Sequence, residues 1–247
     1  MKKSMPSMIL ITLALVIWQV IAMAMDAAYI LPSPTQILVR LWELREPLFL
    51  VHLPATLSVT AIGLCISTVL GLSLAVAMDA KPTIEQALYP IVIASQTIPV
   101  TALAPLFILW FGYGPWSKIL VTILMTFFPI TISVFDGLKG TKREMEELLI
   151  TYGATKKDIF LKLKIPTALP QFFSAIKMAI PLSIIGSAIA EWLGAQSGLG
   201  YFSKRMMTQL DGAGVFAPIV LLSAVAMVLV SLVGVVEKRV LSWRKEL

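Results

Sequence analysis

The sequence predicts an all-α fold, a polytopic membrane helix bundle of about six transmembrane helices. Three observations predict it. The 247-residue chain is 58% hydrophobic and only 14% charged, with a mean hydropathy of +0.88, far from the balance of a soluble domain. Its apolar residues gather in six evenly spaced runs with no linker between them, so residues 1–247 read as one transmembrane domain. Its basic residues stand beside those runs rather than on an aromatic-studded polar face. That placement fits a membrane surface and argues against nucleic acid, despite a net charge of +6.

The first run opens with Met1-Lys2-Lys3 and contains Ala22-Met23-Ala24, features shared with a secretory signal peptide. Met8–Met25, however, offers 18 residues with only Thr12 and Gln19 polar, enough to cross a bilayer, and is read as an uncleaved first span. Next comes Leu31-Pro32-Ser33-Pro34-Thr35-Gln36. Ser33 can cap a helix, Pro34 suits its first turn, and Gln36 completes a capping box. Ile37, Leu38, Leu41, Trp42 and Leu44 then give that helix an apolar side suited to lying in the membrane interface.

Span two covers about Thr56–Met78. Within it Gly63, Ser67 and Gly71 form a ridge of small residues that lets helix backbones approach closely, read as packing inside the bundle. Span three covers about Leu88–Trp110 and carries Pro90, Pro99 and Pro105, which predicts one kinked helix. Spans four to six cover about Ile119–Phe135, Phe172–Trp192 and Val215–Val236.

The polar insert between spans four and five is a compact helical pair. Met145, Leu148, Leu149 and Tyr152 fall at i, i+3, i+4 and i+7, one apolar stripe. Gly153 can take the left-handed conformation of a C-terminal cap. A second helix starts after Thr155, with Asp158 as its capping-box partner, and Pro166 is read as closing it.

Lysine and arginine counts set the orientation. With the amino terminus inside, 14 of them fall in inner segments and 5 in outer ones, and Lys177 lies within a span. This bias places both termini and the Gly153 insert in the cytoplasm. Tyr29, Trp110, Tyr113, Trp116, Trp192 and Tyr201 then cluster at the outer boundary, in contact with membrane lipid.

What the chain lacks narrows its chemistry. No Gly-Lys dipeptide occurs, so there is no Walker A phosphate loop. The single histidine, His52, excludes His-pair metal motifs and reads as a boundary residue. The single cysteine, Cys65, reads as packing. No catalytic or metal-ligating set is present, and the chain is not read as an enzyme. It must draw energy from an ion gradient or from a partner.

A resemblance bears on that choice. The pattern Glu147-Leu148-Leu149, then Gly153-Ala154, then Leu163-x-Ile165-Pro166 is similar to the cytoplasmic "EAA" loop of permease subunits of binding-protein-dependent ABC importers. It differs from the usual form only within small and aliphatic classes. Leu31-Pro32-Ser33-Pro34 and Ala190-Glu191-Trp192-Leu193-Gly194 through Gly198-Leu199-Gly200-Tyr201 resemble the nitrate, sulfonate and taurine branch of that family. The resemblance implies a type I importer permease fold with residues 137–170 as the ATPase-coupling loop. It further implies a bacterial cytoplasmic membrane, a homodimer of permeases, two copies of an ATP-binding subunit and an extracytoplasmic substrate-binding protein. No cofactor is expected on this chain, since ATP would be used by the partner. Glu147 then either contacts the ATP-binding subunit or caps its own turn.

Ionisable and polar groups inside the spans are candidates for a translocation path. Glu191 sits near the outer end of span five, where the mouth of the path could solvate it. Lys177 lies 14 residues earlier, about 21 Å along a helix, so the two cannot pair and Lys177 is read as snorkelling inward. Gln96 and Thr97, beside Pro99, and Ser183 and Ser187 lie at midplane depth. They serve equally as path lining or as interhelical hydrogen-bonding groups. Substrate candidates are nitrate, a sulfonate or taurine, and a thiamine-precursor pyrimidine. The rival reading is a stand-alone ion-coupled secondary transporter, which would be expected to show paired inverted half-repeats.

Overall fold

The computed structural model describes residues 5–25 and 27–243, all helical apart from short turns. Helix α1 (Met5–Met25) lies at the edge of the bundle. Its anchors are few: Trp18 packs against Phe216 at 6.0 Å, and the Gln19 amide bonds to Thr35 through both its ends. The predicted cap then starts α2 (Pro34–Glu43). Ser33 Oγ accepts from the Gln36 N–H, and the Gln36 side chain accepts from the Ser33 N–H at 2.9 Å. The apolar side of α2 divides. Ile37 is buried and Leu41 and Leu44 pack on the bundle, whereas Leu38 and Trp42 face outward.

A short α3 (Arg45–Pro47) and a π turn (Leu48–His52) lead without a break into α4 (Leu53–Ala80). The small-residue ridge packs on α7 (Pro115–Lys139). A Cβ on Gly63 would lie 2.6 Å from Thr122, one on Gly71 2.8 Å from Ile130, and Ser67 Oγ meets Thr126 Oγ1 at 2.6 Å between them. Helix α7 is thereby clamped between α4 and α10 (Ile165–Gly194). The inner core unites the three through Ala75, Met78, Ile130, Phe135, Ala168 and Ala175.

Span three is not one kinked helix. It is a broken pair, α5 (Pro82–Ser95) and α6 (Val100–Phe111), whose axes differ by 94°. The break falls at Pro99, which has no N–H to continue α5 and holds the residue before it out of the helical region. Ser95 Oγ and Thr97 Oγ1 donate to the carbonyls of Val92 and Ala94, satisfying the exposed end of α5. Pro90 and Pro105 stay inside their helices.

Pro166 also behaves differently from the sequence reading. It opens α10 instead of closing the loop helix. The loop helices are α8 (Arg143–Thr151) and α9 (Lys156–Ile159). From α9 a π turn (Phe160–Lys164) runs directly into α10. In that turn the Ile165 N–H reaches back to the Phe160 carbonyl, and the widened ladder leaves room for a proline ring that cannot donate. The same device precedes Pro54, where the Leu53 N–H reaches the Leu48 carbonyl.

Helices α11 (Leu199–Thr208) and α12 (Gly212–Val240) complete the chain. Phe202, Met206, Ala217 and Leu221 join Leu48 and Leu199 in an outer cluster, and Arg40 locks α2 to the cap of α12 through Asp211 at 2.8 Å. Hydrogen bonds to Glu43, and then to Asp211, raise the Arg40 pKa above its ordinary value. Among the described residues five helices are long and apolar enough to cross a membrane, or six if the broken pair counts as one span.

Candidate functional site

The first candidate is the α8–α9 loop. Helix α8 ends in a Schellman motif: the Gly153 N–H donates to the Ile150 carbonyl and the Ala154 N–H to the Leu149 carbonyl. Gly153 sits at φ +82° with nothing within 4 Å of where a Cβ would stand, so backbone conformation and not space calls for glycine. Two residues later Thr155 and Asp158 close a capping box, and α9 begins. These two caps fix the angle of the knob.

The knob presents apolar surface outward. Met145, Leu148, Ile150 and Leu161 are exposed, and Tyr152 is 82% exposed. Leu149 and Ala154 are half-buried, so the stripe read from the sequence turns one member inward. Glu147 does not cap the turn. Its carboxylate accepts from Arg143 at 2.8 Å on the exposed side. Leu163, Ile165 and Pro166 are half-buried at the junction with α10, which makes the loop's second half continuous with that span.

The second candidate surrounds Glu191, which is 1% exposed and therefore enclosed rather than solvated at a mouth. Its Oε2 accepts from the Gly200 N–H at 2.8 Å and lies 3.1 Å from Thr56 Oγ1. Thr56 in turn accepts from the Leu199 N–H, and His52 Nδ1 accepts from the Gly198 N–H. Gly198, at φ +117°, passes so close that a Cβ there would fall on the Glu191 carboxyl group. The carboxylate, Thr56 and His52 thus hold the α10–α11 turn onto α4. The sequence reading missed His52 and Thr56. The available signal was the Gly198-x-Gly200 spacing beyond Glu191, which brings backbone donors within reach of a carboxylate.

The remaining polar candidates separate. Gln96 and Thr97 are exposed at the α5–α6 break. Ser183 and Ser187 are fully buried, Ser183 donating to the Ile180 carbonyl and Ser187 pairing with Thr60 at 2.9 Å. Ser187 therefore ties α10 to α4 while the Ser183 bond stays within α10, and the structure does not bring them to Gln96. Lys177 finds a partner that sequence spacing could not reveal, Glu237 of α12 at 2.8 Å.

With these features in place, residues 67–242 match the family described as the binding-protein-dependent transport system inner membrane component. The chain belongs to that family. It is a membrane-spanning permease subunit of an ATP-driven importer, and the stand-alone secondary transporter reading is displaced. The chain is 52% identical to the formylaminopyrimidine transport permease protein of Halalkalibacterium halodurans, over 94% of this chain and 93% of that one. It is 31% identical to a putative aliphatic sulfonates transport permease protein of Bacillus subtilis, over 97% and 88%. The fold resembles a solved chain of the inward-facing MetNI methionine ABC transporter, with a TM-score of 0.64 at 21% identity, covering 81% of this permease and 94% of that chain.

Proposed function

We propose that the α8–α9 knob docks this permease onto a cytoplasmic ATP-binding subunit and transmits its movement to the membrane spans. The observation that carries this reading is an exposed apolar face, Met145, Leu148 and Tyr152, on a doubly capped helix pair continuous with α10. A rigid pair of this kind converts closure of a partner into rigid-body displacement of the helices beyond it. Glu147, Leu148, Leu149, Gly153, Ala154, Leu163, Ile165 and Pro166 form the coupling element. The charge bias sets both termini on the cytoplasmic side of a bacterial inner membrane, which turns α11 outward toward a substrate-binding protein.

A single chain supplies a wall and not a channel. A cavity of about 660 Å³ is an apolar groove lined by Pro181, Ile184, Trp192, Ile219 and Leu222. Two permease copies with two ATP-binding subunits would enclose a path between them. ATP is used by the partner, and this chain binds no cofactor.

The substrate class follows from similarity. Identity of 52% across 94% of the chain favours a formylaminopyrimidine over a sulfonate, whose permease stands at 31%. The test is uptake of radiolabelled formylaminopyrimidine by vesicles holding the assembled transporter, with an alkanesulfonate as competitor. Uptake that needs ATP and resists the competitor is expected; uptake of the sulfonate alone would overturn the substrate assignment. In the same vesicles Gly153→Pro should abolish ATP-driven uptake, because proline cannot adopt φ +82° and loses the bond to Ile150.

A further inference from the structure

We propose that Lys164, Asp79 and Glu146 form a link that makes α4 move with the coupling loop, so that three spans and not two follow the ATP-binding subunit. The chain itself joins the loop only to α7, which precedes it, and to α10, which follows. Helix α4 is remote in sequence, 85 residues from Lys164 at its nearest point of contact. The Lys164 ammonium closes that distance. It donates to both oxygens of Asp79, at 2.9 and 3.0 Å, and stands 3.6 Å from Glu146 on α8. One cation therefore pins the inner end of α4, the first loop helix and the root of α10 at a single point.

The surroundings make this contact a direct tie between the loop and α4. Beside it a cleft of about 580 Å³, lined by Val76, Ala80, Ile150, Ile159 and Phe160, separates the end of α4 from the loop. Across it Phe160 seats on the inner core that includes Met78, and the ion pair adds a direct polar tie from the loop to the end of α4. The pair is also sheltered: the Asp79 side chain is 5% exposed and that of Lys164 19%. Low local dielectric strengthens the attraction and penalises separating the partners. Two other ion pairs that join spans, Lys139–Glu85 and Lys177–Glu237, are more exposed and do not touch the knob.

This inference rests on the loop docking an ATP-binding subunit, and its test separates the two ideas. Lys164→Met alone strands a buried carboxylate, so the informative variant is Asp79→Asn with Lys164→Met, which removes both charges and leaves neither unpaired. In the assembled transporter in vesicles, this double variant should still co-purify with the ATP-binding subunit and hydrolyse ATP. Its yield of formylaminopyrimidine moved per ATP should fall at least fivefold, while Lys164→Arg keeps the wild-type ratio. A wild-type ratio in the double variant overturns the link alone. Failure of the wild-type chain to hold an ATP-binding subunit overturns the docking reading and the link with it. Spin labels at Lys81→Cys and Lys157→Cys, in a Cys65→Ser background, give a second readout. Their separation should stay constant between nucleotide-free and ATP-bound states and diverge only in the double variant; divergence in the otherwise wild-type chain contradicts the proposal.

Discussion

Gly198→Ala is the sharpest probe of the outer turn. The wild-type backbone there has φ +117°, and the space for a Cβ is already taken by the Glu191 carboxyl group. Two costs combine. Holding alanine in that backbone region costs about 1–3 kcal/mol. Displacing the carboxylate forfeits its bonds to the Gly200 N–H and Thr56, each worth about 1.5–3 kcal/mol when an ionised group accepts. If half of the second term is recovered by relaxation, the total is about 2.5–6 kcal/mol. At roughly 2–4 °C per kcal/mol for a chain of this size, the apparent melting temperature should fall by about 5 °C or more. The assay is a tryptophan-fluorescence melt of the detergent-purified permease. The internal control is Gly153→Ala, which has positive φ but nothing within 4 Å of its Cβ position, so strain of about 1–2 kcal/mol is its only cost. Gly198→Ala melting within about 3 °C of Gly153→Ala would refute the claim that the turn is wrapped around Glu191.

Three further outcomes are expected. Glu191→Leu should destabilise the purified protein more than Glu191→Gln, because leucine leaves the Gly200 N–H unpaired while glutamine can still accept it; equal melting temperatures would remove the carboxylate from the latch. Gly71→Leu should cost about 1–3 kcal/mol or more by forcing α4 off Ile130 and the Phe127 carbonyl, seen as a lower melting temperature partly restored by Ile130→Ala. Arg40→Met should lower stability by no more than about 1 kcal/mol, since the Arg40–Asp211 pair is partly solvated, and the loss should shrink in high salt.

Features written in adjacent residues were legible in the sequence, and those created by distant residues were not. The Ser33–Gln36 and Thr155–Asp158 boxes and the Gly153 cap need only three to five residues of chain, and each forms as its local chemistry dictates. The ridge of Gly63, Ser67 and Gly71 was visible because a helix repeats its faces, although its partners Thr122 and Ile130 were not. Proline was ambiguous. Pro90 and Pro105 ride inside helices, Pro99 breaks one, and Pro166 opens one behind a π turn. The outcome depends on whether nearby hydroxyls or a widened turn take up the freed carbonyls. Glu191 and Lys177 stand on one helix too far apart to pair, and both found partners elsewhere: Thr56 and Gly200 for the first, Glu237 for the second. The Lys164–Asp79 pair bridges two residues whose neighbourhood exists only after α4 and α10 have packed on α7.

The coupling role of the α8–α9 knob is tested most directly by recovering the tagged permease from native membranes in mild detergent and identifying what accompanies it by mass spectrometry. The wild-type chain should bring down an ATP-binding subunit, and the Gly153→Pro chain should lose it while remaining folded by its melting curve. Recovery of this permease alone, still moving its solute in vesicles under an ion gradient without ATP, would contradict the account.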